Sequence, residues 1–284
     1  MSVTRGIVGC WSPSLGASGY LLRDVSGRNN HGTLTNMDPG TDWVPSERGL
    51  VLDYDGSNDA VVMGSIPIKT SMAATAWINI RAMSGTMTVL GDCNLGGNTQ
   101  DYFLEVNRTS NKVSVLWGNA VIQTDTRDLA INRWYLIGFT RFGAASAWSI
   151  NIYVDGVAGS TGTTGANPNG GSGTSIGKGG QLDALYFNGR IGEAALWDRP
   201  LNDSEHAELY RRGNGWLGRE LTGMNQRRTY GKKPGIIPSG QNVTTRLTLI
   251  GTSRQRQTID GTSGERLAAC GTSGRRLSIE GSST

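Results

Sequence analysis

Four oxygen-bearing side chains, Asp53, Asp55, Asn58 and Asp59, crowd the segment Asp53-Tyr54-Asp55-Gly56-Ser57-Asn58-Asp59. Hard oxygens gathered in a glycine-containing turn suit a calcium ion, although the spacing is not that of an EF-hand loop. A second chemistry lies in flat rings: Trp117, Trp148, Tyr186 and Trp197 offer faces on which a sugar ring can stack. Glycoside hydrolysis would need two carboxylates held about 5 to 10 Å apart. Glu105 stands alone in its segment, and Glu205 and Glu208 lie on helix-like text. His31 and His206 have no Ser or Cys arranged beside them for nucleophilic attack. Neither a phosphate loop nor a His-Glu-x-x-His pattern occurs. The residues therefore predict binding rather than catalysis, with no obligatory cofactor.

The elements that must position these groups are strands. From Gly49 to Trp197 apolar and polar residues alternate: Ala76, Ile78 and Ile80 against Thr75, Trp77 and Asn79, and Trp148, Ile150, Ile152 and Val154 against Ser149, Asn151 and Tyr153. That period predicts strands with one buried face. Gly118-Asn119 and Asp155-Gly156 are placed to close hairpins through primed turns. Asp24, Asn30 and His31 read as a turn whose side chains bond their own backbone. The stretch from Gly156 to Gly180 holds ten glycines and reads as a loop, a plain solvent-exposed connection or else one wall of a binding face. One helix is predicted from Pro200 to Tyr210, with cap residues and acids first, Arg211 and Arg212 last and Gly213 beyond.

The end of the chain follows a different rule. Gly251-Thr252-Ser253, Gly261-Thr262-Ser263, Gly271-Thr272-Ser273 and Gly281-Ser282-Ser283 fall on a ten-residue grid. Each unit reads as one turn and one strand. Because ten is even, Leu247, Leu249, Ile259, Leu267, Leu277 and Ile279 share one face, with arginines opposite. One thin apolar stripe in some 44 residues cannot make a core, so the arm must pack against something, most simply copies of itself in a homotrimer. The predicted organisation is a sandwich over residues 1–217, a basic linker over 218–240 and a decapeptide repeat module over 241–284.

Several segments, in their order along the chain, together resemble the laminin-G-like jelly-roll domains of the concanavalin A-like lectin and glucanase superfamily. They run from Asp24-Val25-Ser26-Gly27 and Asn30-His31-Gly32-Thr33-Leu34 through Leu52-Asp53-Tyr54-Asp55-Gly56. Asn132-Arg133-Trp134-Tyr135, Ile152-Tyr153-Val154-Asp155-Gly156, Phe187-Asn188-Gly189-Arg190-Ile191-Gly192-Glu193 and Leu196-Trp197-Asp198-Arg199-Pro200-Leu201 complete the series. The resemblance implies an all-β fold in which two antiparallel sheets stack as a jelly-roll sandwich, with loops at the rim of a concave surface. Some relatives use calcium there. The run of alternating acids that its glucanases carry on one strand is missing here.

Charge is divided unevenly. Residues 219–284 hold 11 Lys/Arg against 4 Asp/Glu, so the remainder holds 16 against 19 within totals of 27 and 23. Such a tail suits an acidic neighbour, but its one aromatic, Tyr230, gives little for base stacking, which argues against nucleic acid. Cys10, Cys93 and Cys270 are odd in number and far apart, as buried free thiols are. No stretch approaches the 18 or so apolar residues of a membrane span, and the first residues do not read as a signal peptide. Taken together these features predict a structural protein of a virus particle, a bacteriophage by this reading, made in the host cytoplasm. It would be a capsid decoration protein or surface appendage whose partners are its own copies and other shell proteins, exposing a lectin-like domain to surface glycans. The alternative is a carbohydrate-binding adhesion protein with no shell role.

Overall fold

Asp155 and Gly156 both take positive φ, 54° and 76°, so this dipeptide closes the two-residue primed hairpin that its composition predicts. The structure, a computed structural model, describes residues 2–67, 70–83, 85–94, 99–107, 110–118, 120–144, 147–164, 173–180, 184–223, 245–248, 256–262 and 276–282. The alternating text forms strands β1 (Ile7–Trp11), β2 (Leu21–Leu22), β3 (Gly32–Thr35), β4 (Trp43–Ser46), β5 (Gly49–Asp55), β6 (Ala60–Val62), β7 (Met72–Ile80) and β8 (Met87–Asn94). Next come β9 (Thr99–Asn107), β10 (Lys112–Trp117), β11 (Ala120–Thr124), β12 (Trp134–Ala144), β13 (Ala147–Val154), β14 (Val157–Thr164), β15 (Thr174–Ile176) and β16 (Asn188–Trp197). Two helices follow, α1 (Asp203–Arg212) and α2 (Trp216–Leu221).

Two antiparallel sheets result. The first runs β14-β13-β12-β7-β16-β5-β4, with β1 beside β16, and the second runs β11-β10-β9-β8-β15-β6-β3-β2. Their facing sides make one core in which Ile78, Phe139 and Ile152 of the first sheet join Val61, Leu104 and Val115 of the second. This is the all-β sandwich expected from the period-two text.

Two local readings change. The alternation in β7 predicts one solvated face, yet the strand is buried on both sides. Ala76, Ile78 and Ile80 enter the shared core, whereas Ala73 and Trp77 join a second apolar layer with Ile7, Trp197, Leu201, Leu209 and Leu217. That layer comes from the N-terminal segment and the two helices, which cover the outer side of the first sheet. The glycine-rich stretch Gly156 to Gly180 is not one loop, since it contains β14 and β15. Its glycines and threonines carry too little apolar surface to signal a strand, and β14 is an edge strand, mostly exposed.

Helix α1 is capped as its sequence predicts. The Asn202 side chain accepts from the Glu205 N–H at 2.9 Å, and the Glu205 carboxylate accepts from the Asn202 N–H at 3.1 Å, a complete capping box. The sandwich also continues past residue 217. The buried Glu193 carboxylate of β16 accepts the N–H groups of Leu217 at 3.2 Å and Gly218 at 2.7 Å, which docks α2 onto the sheet. Residues 224–244, most of the expected linker, lie outside the described residues.

The chain divides into two units, Met1–Thr229 and Tyr230–Thr284. In the second, strands β17 (Thr245–Thr248), β18 (Arg256–Thr262) and β19 (Arg276–Ser282) form a sheet in the order β17-β19-β18. Two units of the ten-residue grid pair in parallel with equivalent positions opposed, Arg256 with Arg276 and Ile259 with Ile279, and Leu247 is paired with Ile279 on the other side. Leu247, Ile279 and Ile259 therefore occupy one row, whereas Leu277 stands opposite Gln257. Leu249 and Leu267 lie outside the described residues, as does Cys270. Cys10 and Cys93 are buried and neither forms a disulfide among the described residues.

Candidate functional site

Large rings are drawn out of water by their area, and three of the four aromatic candidates are buried, Trp117 and Trp148 on the inward side of their strands and Trp197 in the outer apolar layer. Trp117 and Trp148 do come together, but around a cation. The guanidinium carbon of Arg141 lies 4.2 Å from the Trp117 ring centroid and 4.3 Å from that of Trp148. Tyr102 and Phe139 extend the cluster, with centroids 6.1 and 6.4 Å from Trp117. Arg141 is fully buried, and burial pulls its pKa down to about 10. Trp197 is enclosed too, its indole N–H donating to the Val3 carbonyl at 2.7 Å. Trp117, Trp148 and Trp197 thus present no face to a sugar, which corrects the expectation for them. Tyr186 alone is half exposed, in the segment leading into β16.

The acidic turn is occupied with its own backbone. Asp55 accepts from the N–H groups of Ser57 at 2.7 Å and Asn58 at 3.3 Å, and Asp59 accepts from the Asp55 N–H at 2.9 Å. Asp53 is ion-paired with Arg81, and the Asn58 carbonyl accepts from the Asn36 amide at 3.1 Å. Burial, then the neighbouring Asp55, Asp42 and Asp53, push Asp59 up to about 6. For Asp55 burial pushes upward, but the N–H donors of its turn together outweigh it and hold the carboxyl below the usual carboxylate range. Among the described residues no group of three or more His, Cys, Asp or Glu has metal-binding geometry. Of the four candidates, Asp55 and Asp59 bond the backbone of their own turn and Asp53 faces Arg81.

Asp24 and His31 form the self-bonded turn that the sequence predicts. Asp24 accepts from the Cys10, Ser26 and Asn30 N–H groups at 2.9, 2.8 and 2.9 Å, while His31 Nδ1 accepts from the Asp24 N–H at 3.0 Å. Glu105 is buried, accepts the Ser114 hydroxyl at 2.9 Å and is pushed up by burial.

An open groove that the sequence did not reveal lies on the outer side of the first sheet, where α1 begins. It encloses about 900 Å³ between β12, β13 and the segment entering the helix. Strand alternation points Thr140, Phe142 and Tyr153 outward into it. Phe142 keeps 36% of its surface exposed. The Tyr153 hydroxyl donates to Asp203 Oδ1 at 2.7 Å, and its ring stacks on His206 with centroids 3.6 Å apart. His206 Nε2 stands 2.9 Å from the Thr140 hydroxyl, and burial drives its pKa down to about 3, so the ring is neutral at ordinary pH. Asn151 and Ser204 add polar edges. Glu205 also lines the groove; burial pushes it upward, but Arg199 at 2.6 Å together with the Asn202 N–H outweighs that and holds the carboxyl below the usual carboxylate range. An exposed ring ringed by hydroxyl, amide and carboxylate groups matches what a sugar offers, an apolar face and polar edges.

Residues 55–205 match a laminin-G family model described as the concanavalin A-like lectin/glucanases superfamily. No curated protein matches the chain in sequence. Among solved structures, the chain is similar to Trypanosoma rangeli sialidase in complex with sialic acid, at 21% identity and a TM-score of 0.53 over 73% of this chain and 33% of that one. It is also similar to domain 4 of AbnA, a GH43 extracellular arabinanase from Geobacillus stearothermophilus, in complex with arabinotriose. That likeness has 14% identity and a TM-score of 0.52, over 71% of this chain and 97% of that domain. At such identities the likeness carries the fold; this chain spans about a third of the sialidase and nearly the whole arabinanase domain.

Proposed function

The chain belongs to the concanavalin A-like lectin/glucanases superfamily, and on that footing we propose that it is a carbohydrate-recognition protein without hydrolytic activity. The observation that supports this best is the exposed Phe142 ring beside Asn151, Asp203 and Ser204 in an open groove. The groove's second acid, Glu205, is committed to Arg199 and to the helix cap, so it supplies no proton donor for hydrolysis. Titration of the purified protein against a panel of neutral oligosaccharides tests the reading. Binding of a glycan by the wild type, weakened about tenfold or more in Phe142→Ala with an unchanged melting temperature, supports it. Turnover of a bound glycan, or binding indifferent to Phe142, overturns it.

A second reading concerns assembly and rests on the pairing of β18 with β19, in which residues twenty apart stand opposite each other. Units that stack on equivalents within one chain can stack on equivalents from another. The proposal is that copies associate through these repeats, as a homotrimer, and display the sandwich on the surface of a virus particle. Light scattering on the purified chain checks the first part, since a monomeric mass removes it. Copy number in purified particles checks the second.

A further inference from the structure

Two adjoining recesses lie where α1 ends, at the other end of the helix from the Phe142 groove, and four arginines line them. The smaller, about 230 Å³, is walled by Arg81 and Arg190 with Asn79; the larger, about 580 Å³, by Arg48 and Arg133 with Trp134 and Tyr210. Glu47 and Asn132 belong to both, so the recesses share a wall. The arginines arrive from four places in the chain: the β4–β5 turn, the end of β7, the start of β12 and the start of β16.

The cations differ in how much of their charge is already answered. Arg81 pairs with Asp53, and Arg133 lies 3.4 Å from Asp155. Arg48 and Arg190 have no ion-pair partner among the described residues. Asp53, which stands opposite Arg190 across the sheet, is taken by Arg81. Glu47 is the one further acid in the lining.

Two of the guanidinium groups lie over aromatic rings. The Arg48 carbon lies 4.5 Å from the Trp77 ring centroid, and that of Arg133 lies 4.8 Å from Tyr135. Stacking occupies a guanidinium's face and leaves its in-plane N–H edge free, the edge that meets a carboxylate or sulfate in two parallel hydrogen bonds. It also lowers the ordering cost of binding. Beside these edges stand the Tyr210 ring, 38% exposed, and the wall residue Trp134, whose buried indole N–H has no hydrogen-bond partner.

We propose that this arginine-lined recess binds an acidic saccharide, with Arg48 and Arg190 taking its carboxylate or sulfate and Tyr210 lying against a sugar ring. A saccharide fits better than a nucleic acid strand, because the lining offers short amides and one half-exposed ring in a bounded recess, not a continuous basic track with several stacking rings. The site is separate from the Phe142 groove and stands or falls independently of it.

The test uses the full chain and four probes of similar length: oligogalacturonate, dextran sulfate, neutral dextran and oligothymidylate. Affinities are measured at about 150 mM salt, where surface electrostatics are screened within roughly 8 Å. The wild type is compared with the double variant R48Q/R190Q and with Phe142→Ala. The basic C-terminal region is the same in all three proteins, so only the difference between them is read. The proposal expects one or both acidic saccharides to bind, neutral dextran not to bind here, and R48Q/R190Q to lose about tenfold or more with its melting temperature kept. Phe142→Ala leaves this binding intact. Whichever acidic probe binds identifies the anionic group. Absence of binding to both acidic saccharides overturns the proposal, as does binding that R48Q/R190Q leaves unchanged, or oligothymidylate bound as tightly and lost to the same extent.

Discussion

The guanidinium carbon of Arg141 sits 4.2 Å above the ring of Trp117, and Trp148 closes on it at 4.3 Å. A full positive charge is thereby buried between two aromatic faces, whose quadrupoles offset part of its lost hydration. Its Nη1 donates to the Thr70 carbonyl. Only a planar cation suits this slot. Arg141→Lys, which keeps the charge but cannot lie flat between the rings, is expected to cost about 1–3 kcal/mol. Trp148→Ala is expected to cost about 3–5 kcal/mol. Denaturant unfolding measures both, and a lysine variant as stable as the wild type would show that the stack contributes nothing.

Acid sensitivity follows from His206. Its folded pKa of about 3 lies below the ordinary 6.5, with burial as the main cause. Between those values the unfolded chain takes up a proton that the folded chain refuses. Stability from this residue is therefore intact above about pH 6.5 and falls by up to roughly 1.4 kcal/mol per pH unit as the pH drops toward 3. In His206→Gln the dependence of stability on pH between 6 and 4 should be shallower. Parallel curves for the two proteins would contradict a buried neutral imidazole.

Gly156 ties the β13–β14 hairpin to α1. At φ 76° its missing Cβ would stand 2.9 Å from Ala207 Cα and from Tyr210 Cβ, and 3.0 Å from the His206 carbonyl. Gly156→Ala combines strain with a clash and should cost about 2–4 kcal/mol. Gly19, at φ 70° with nothing near, is the control, since Gly19→Ala carries a comparable backbone strain alone. Equal losses in the two variants would mean that the helix is not held against this turn.

Gly218 decides whether α2 belongs to the sandwich. In an exposed helix Gly→Ala stabilises by about 1 kcal/mol. Here the added Cβ would meet Ser12 Cβ at 2.7 Å and Glu193 Oε2 at 3.1 Å, so Gly218→Ala should destabilise by about 1–3 kcal/mol. The sign of the change is the readout.

The acidic turn can be tested for an ion. Asp59, raised to about 6, is ionised at pH 7 at some cost, and its own contribution to stability rises as the pH falls from 7 toward 5, opposite in sign to that of His206, because the folded state binds this proton more readily than the unfolded chain. Asp59→Asn keeps an oxygen for the Asp55 N–H and should match or exceed the wild-type melting temperature at pH 7. If millimolar calcium instead raised the wild-type melting temperature by several degrees and Asp59→Asn abolished the gain, the turn would be a calcium site after all.

Much of the sandwich is legible before any coordinate. The Asp155-Gly156 turn, the Asn202 to Glu205 cap and the alternation of β13 are local devices, and each takes the predicted form. The candidate site was not legible, because Phe142 and Tyr153 differ in no local respect from other strand aromatics. What distinguishes Phe142 from Trp148 is the face on which it falls and whether a later segment covers that face. The four arginines of the recess lie at positions 48, 81, 133 and 190, and no spacing rule joins them.

Outside the glycine-rich stretch that holds β14 and β15, the amino-acid order alone marked strands by their period, turns by their residues and the helix by its cap, since these signals act over a few bonds. Only the tertiary structure decided which faces meet water. Trp77 is covered by helices more than 120 residues further on, and Trp197 is bonded to Val3 across 194 residues. Alternation separates the two faces of a strand, but it carries no information about what a distant part of the chain lays over each.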